Sequence, residues 1–135
     1  DDRRVEHIKV NSVQISLYEE FNVHSLGHII TDKNHLIRVL KMLFDDENEV
    51  IVFHQNNDSS YAVYYRQQNM DETIVLDNAI RIRFEGTYDE YESVQGRVAQ
   101  ILKNRGLIRK SNDYCKIIQL DSKEKFLVMD IYVAV

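Results

Sequence analysis

Hydrophobic periodicity runs through this chain in the same order twice: a stretch of period two, a stretch of period 3.6, then two more stretches of period two. Positions 10–21 read as a strand, with Val13, Ile15 and Leu17 alternating against Gln14, Ser16 and Tyr18. Leu36, Val39, Leu40, Leu43 and Phe44 then mark one helical stripe over 32–44, with Thr31 or Asp32 as its N-cap. The acidic stretch 45–49 is expected beyond the last turn, because negative charge at a helix C-terminus opposes the dipole. Two short apolar runs, 50–54 and 61–65, flank the polar stretch 55–60 and read as a hairpin.

The second passage begins after a polar connection at 67–73, with 74–76 extended. Across 79–85, Ile80, Ile82 and Phe84 face one way and Arg81, Arg83 and Glu85 the other. Thr87 and Glu90 have the spacing of a capping box, so a helix is expected from Tyr88. Its apolar positions are Tyr91, Val94, Val98, Ile101 and Leu102, and Gly106 ends it. Strands are expected at 114–120 and 126–135. Leu40 and Ile101 lie 61 positions apart, and Tyr61 and Phe126 lie 65 apart, so the halves agree in spacing though not in residue identity. A lone strand–helix–strand–strand unit cannot bury its sheet, but two side by side can share a core and leave a cleft at their junction. The reading is one α+β domain over 1–135, with units at about 10–68 and 74–135, a mostly antiparallel sheet and both helices on one face.

Composition narrows the function. With 135 residues the chain can bury a core without disulfides. There is no proline and there are 4 glycines, so the turns must come from Asn, Asp and Ser. A net charge of −5, with no basic run longer than a pair, argues against a nucleic-acid platform. No apolar run has the length of a membrane span, and the N-terminal residues do not form a signal peptide. The one cysteine, Cys115, fits a reducing, cytoplasmic setting and reads as a buried inert thiol. His24 and His28 are four apart and His28 and His35 seven, but the spacing lacks the set of ligands a metal requires, so neither metal nor cofactor is expected. Ser25, Ser60 and Ser93 stand in no nucleophile elbow, and Gly86 begins no phosphate loop.

The segment IRIRFEGTYDEYESVQGRVAQILKNRGL, through Gly86, Tyr88 and Gly106, resembles the strand–helix segment of the GyrI-like small-molecule-binding domain. That domain is also known as the effector-binding domain of multidrug-responsive regulators. FLVMDIYVAV resembles the family's terminal strand, with Ala134-Val135 where the family has Pro-Val. The resemblance implies two βαββ units about a pseudo-two-fold, with a cleft for a cationic or lipophilic ligand. It implies aromatic walls and an acidic residue in that cleft, since aromatic faces and carboxylates both attract cations. Asp130 is the first candidate acid, flanked by Val128 and Tyr132, and Glu85 the second; Arg81 or Arg83 could neutralise either. Tyr61, Tyr65 and Tyr88 are candidate wall residues, with core-edge packing as the competing reading of the tyrosines.

Three functions follow from the resemblance, in this order. The first is a stand-alone module that binds a small molecule. The second is a protein-interaction module, resembling a gyrase inhibitor or a toxin-system accessory protein. The third is a hydrolase of strained electrophiles using Tyr and Glu, against which the absence of Trp counts.

Overall fold

The structure is a computed structural model describing residues 9–66, 70–121, 123 and 126–135; at 9–12, 16, 88 and 92 it describes the backbone alone. The elements are β1 (Lys9–Ser25), α1 (Lys33–Asp45), β2 (Ile51–Gln55), β3 (Tyr61–Tyr65), β4 (Glu72–Thr87), α2 (Tyr91–Asn104), β5 (Tyr114–Asp121) and β6 (Phe126–Ala134). The protein is therefore α+β, with two helices and one sheet in which every pairing among the described residues is antiparallel. The strands run β1-β3-β2-β5-β6-β4, and β4 pairs back with β1 to close the ring.

Local chemistry sets these boundaries. Asp32 caps α1, accepting from the His35 N–H at 3.1 Å. Asp45, expected past the helix, is its last residue; Lys41 one turn earlier answers its charge at 2.6 Å. Glu90 accepts from the Thr87 N–H at 2.9 Å and from its hydroxyl at 3.0 Å. Half of the capping box thus forms, but the first turn, Tyr88–Glu90, is a 3-10 turn and α2 starts at Tyr91 rather than Tyr88. Gly86 lets the chain pass close to the buried Phe84, where a Cβ would stand 2.7 Å from the ring.

The largest departure from expectation is the length of β1 and β4, which run 17 and 16 residues. The expected connection over 67–73 gives way to strand at Glu72; positions 67–69 lie outside the described residues. The two strands pair along nearly their whole length, with register shifts between Val10 and Val13, Gln14 and Leu17, and Leu17 and Glu19. Bulges of this kind sharpen the twist and allow a long ribbon to wrap a sheet.

Two apolar clusters lie on opposite faces of the sheet, as alternation along each strand requires. The larger takes the buried stripes of both helices against Ile51, Phe53, Ile82, Met129 and Ile131. The smaller has Phe21, Val23, Val50, Val52, Leu76, Ala79 and Tyr132, with Tyr64 and Tyr114 packed against it. No helix among the described residues is long and apolar enough to cross a membrane.

Candidate functional site

The candidate ligand residues read from the sequence do not converge. Tyr61 and Tyr65 belong to the helix side of the sheet: Tyr61 packs edge-on to Phe53 at 6.2 Å and Tyr65 edge-on to His24 at 5.6 Å. Asp130, Tyr132 and Glu85 lie on the other face. Asp130 is 3% exposed and is held by the guanidinium of Arg83, Nε to Oδ1 at 2.5 Å and Nη2 to Oδ2 at 3.0 Å. This is the neutralisation that the alternation of 79–85 allowed. Tyr132 is buried edge-on to Phe21, with centroids 5.1 Å apart, and its phenol is pushed up to about 12, chiefly by burial. Glu85 stands opposite Val128 in the β4–β6 ladder. The side chain of Tyr88 lies outside the described residues. Where a cleft with tyrosine walls was expected, the sheet face opposite the helices is packed with aromatic and aliphatic side chains.

The open polar volume lies instead where the β2–β3 turn meets the approach to β5. The turn contains no glycine. It closes through Asn56 N–H to Ser60 O at 2.7 Å and Ser59 N–H to Asn56 O at 3.0 Å, with Ser59 at φ 69°. Asp58 accepts from the Ser60 N–H at 3.0 Å and hydroxyl at 2.5 Å, which holds its carboxyl below the usual range. β2 pairs with β5 so that His54 faces Tyr114, their rings stacked 4.4 Å apart. His54 Nδ1 lies 3.1 Å from the Asp113 carbonyl oxygen, and burial lowers the imidazole pKa. The neutral ring thus donates to that carbonyl and fixes the start of β5 beside the turn.

A cleft of about 260 Å³ opens between these pieces and α2. The turn contributes Gln55, Asn56, Asn57 and Ser59; α2 contributes Tyr91 and Gln95, four apart on one face. The segment before β5 contributes Arg109, Asn112 and Asp113, and Cys115 follows on the strand. Asn112 Nδ2 donates to Asn57 Oδ1 at 2.8 Å and ties the two rims together. Beyond that bridge a second, more open compartment of about 520 Å³ is lined by His54, Lys110, Ser111 and Tyr114. The two compartments share Asn57, Arg109 and Asn112.

Asp113 and Arg109 are the charged residues lining this cleft, and Asp113 is 8% exposed. Arg109 Nη2 donates to its Oδ2 at 3.3 Å, and Arg109 Nε stands 3.1 Å from Oδ1. The second contact is an ion pair without hydrogen-bond geometry, so the buried Oδ1 is answered by the Arg109 charge and not by a well-aligned hydrogen bond. Burial raises the Asp113 carboxyl pKa, against the lowering effects of the Arg109 charge and of hydrogen bonds from Gln95 and Arg109. A carboxyl whose folded pKa is raised binds its proton more readily folded than unfolded. Its contribution to stability is therefore present in acid and lost as pH rises from the ordinary carboxylate value through the raised one. Asp113→Asn, which keeps an acceptor for Arg109, is expected to stabilise the protein at neutral pH by about 1 kcal/mol, the scale of a poorly paired buried polar group. Urea melts of both proteins at neutral and acid pH check this; a deficit that persists at neutral pH would assign Asp113 a net stabilising role.

The two other titratable groups of the inner wall are held in their protonated forms. The Cys115 thiol and the Tyr91 phenol are both pushed well above their ordinary values, first of all by burial. His28 and His35 do meet, rings 6.5 Å apart, but no cluster of three or more metal-ligating side chains occurs among the described residues.

Of the cleft residues, the sequence pointed to 55–60 only as a turn, to Tyr91 only as a helix position and to Cys115 only as an inert thiol. Gln95, Arg109, Asn112 and Asp113 carried no signal of their own. They become a site through the β2–β5 pairing, which joins residues 59 positions apart in His54 and Asp113.

Fold and cleft together define an all-antiparallel α+β domain with a polar cleft at one side of its sheet. Residues 12–135 match a family of unknown function, DUF5975, and the chain belongs to that family. No curated protein matches it.

Proposed function

We propose that the protein is a binding module for a small polar molecule, seated in the cleft between the 55–60 turn, α2 and the 109–113 segment. The observation that carries this reading is a cleft of about 260 Å³ with mostly polar walls, lined by the amides of Gln55, Asn56, Asn57, Gln95 and Asn112 and by the Arg109–Asp113 ion pair. Protein interiors are close-packed, and buried polar atoms are normally paired. An open cleft lined by amides is therefore matched to a solute that can both donate and accept hydrogen bonds.

The same reading takes the fold as GyrI-like, two βαββ units with the ligand at their junction. The order of elements supports it, and so does the lining, drawn from 55–59 in the first half and 91–115 in the second. Within it, Asp113 takes the part expected of Asp130, and the polar walls favour a hydrophilic over a lipophilic ligand. Binding is favoured over catalysis because the Cys115 thiol and Tyr91 phenol are held protonated and the Ser60 hydroxyl is engaged by Asp58. A buried reduced thiol suits a cytoplasmic setting.

Gln95→Trp, on the α2 wall, would fill the cleft. A ligand at one hundred times its Kd adds about 2.7 kcal/mol of stability. In a thermal-shift screen of small polar metabolites, compounds that raise the melting temperature of the parent are expected to leave this variant unmoved. Hits that stabilise both proteins equally would place binding elsewhere.

A further inference from the structure

Within that reading, we propose that the ligand is a neutral saccharide, one sugar ring seated in the inner compartment and a neighbouring unit in the outer one. The walls decide against an ion. Among the described residues, Arg109 and Asp113 are the charged residues lining the inner compartment, and they answer each other at 3.1 Å, Nε to Oδ1. Gln95 Oε1 accepts from Arg109 Nη2 at 3.2 Å, and Gln95 also hydrogen-bonds Asp113, so both charges are engaged within the protein. A charged ligand entering there would give up its water without meeting a counter-charge, which is costly. Lys110, which lines the outer compartment alone, is exposed and keeps its water.

What the walls leave open is a mixture of donors and acceptors. Asn112 Nδ2 donates to Asn57 Oδ1, which leaves Asn57 Nδ2 as a donor and Asn112 Oδ1 as an acceptor without a partner among the described residues. Both residues line both compartments. Asn56 Nδ2 donates to the Ser60 hydroxyl at 3.1 Å, which leaves Asn56 Oδ1 to accept. The Gln55 amide and the Ser59 hydroxyl each offer both functions. A cation satisfies acceptors alone and an anion donors alone. A hydroxyl does both, and adjacent hydroxyls on one ring can take the donor of Asn57 and the acceptor of Asn112 together. The outer compartment adds aromatic surface, the stacked rings of His54 and Tyr114. Aromatic faces carry partial negative charge and attract polarised C–H groups. A sugar ring carries a hydroxyl rim and a C–H face on one rigid frame; an open-chain sugar alcohol holds neither in place.

The test screens the full chain by thermal shift against glucose, galactose, mannose, ribose and N-acetylglucosamine, and against maltose, cellobiose, lactose and trehalose. The best responder is then titrated calorimetrically beside its sugar alcohol and its phosphate ester. The sugar is expected to bind at least tenfold more tightly than the sugar alcohol and at least as tightly as the phosphate ester. Its Kd should be the same at low and high salt, as for a ligand without charge. Asn57→Asp keeps the acceptor that Asn112 uses and replaces the free donor by an acceptor. It should weaken the sugar at least tenfold, and the melt of the free variant shows that it remains folded. If the sugar alcohol binds within threefold of the sugar, or if Asn57→Asp binds the sugar as the parent does, the saccharide is overturned. A phosphate ester that binds more tightly than the sugar overturns the neutral ligand in favour of an anion at Lys110. If none of the sugars binds while another metabolite stabilises the parent and not Gln95→Trp, the saccharide falls and the binding reading stands. If no compound separates those two proteins, both readings fall together.

Discussion

Arg83→Met is expected to destabilise the protein by about 3 kcal/mol at neutral pH, near the lower end of the range for stripping one partner from a buried ion pair. The loss comes from Asp130, whose side chain is 5% exposed and would be left charged without its guanidinium. Arg83 is itself 36% exposed, and Lys116 stands opposite Asp130 in the β5–β6 ladder, so part of the charge is still answered and the upper end of the range is not reached. Asp130→Asn removes the buried charge together with its requirement for a partner. It is expected to cost less than Arg83→Met, and the double variant should recover most of the deficit. A double-mutant cycle by urea denaturation measures this coupling. If the double variant is no more stable than Arg83→Met, the cost lies in lost packing of the arginine stem and not in an orphaned carboxylate. The same Asp130→Asn protein is expected to bind a ligand of the polar cleft as the parent does, because Asp130 lines neither of its compartments.

What the sequence disclosed and what it withheld follow from the range of the interactions concerned. Ile80, Ile82 and Phe84 against Arg81, Arg83 and Glu85 is a local alternation, and the structure keeps it residue for residue. The stripe Leu36, Val39, Leu40, Leu43 is equally local, and all four are buried. The turn at 55–60 announced itself by Asn, Asp and Ser in the absence of glycine. The reach of β1 and β4 did not, because their register shifts break the period of two in β1 and because Leu76 and Ala79 pack in a cluster fed by distant strands. The candidate site was less legible still. Asp130 and Tyr132 were rightly placed on one face of β6, but whether that face was open depended on Phe21, more than one hundred positions away. Asp113 and Arg109 precede a strand in a segment with no periodicity. Only the pairing of β2 with β5 turns them toward the 55–60 turn.

The other large effect is expected at Tyr132, where Tyr132→Ala should cost about 3–5 kcal/mol, the range for removing a buried aromatic ring. Tyr132 is 2% exposed, stands edge-on to Phe21 at an interplanar angle of 84°, and shares its cluster with Val52, Leu76 and Ala79. Its hydroxyl receives a hydrogen bond from Arg81, so Tyr132→Phe isolates the polar part and is expected to cost about 1 kcal/mol. The difference between the two variants is then the contribution of the ring. The alanine variant should also leave an apolar cavity beside Phe21, and such cavities stay dry and take up small apolar solutes. Benzene is therefore expected to raise the melting temperature of Tyr132→Ala and to leave the parent and Tyr132→Phe unchanged. This outcome would mean that the sheet face opposite the helices, where a lipophilic ligand would have been sought, is closed in the native protein because Phe21 and Tyr132 occupy it. Benzene stabilising the parent as much as the variant would mean that a lipophilic site is already open on that face, and the polar cleft at Asp113 would lose its claim to be the principal site.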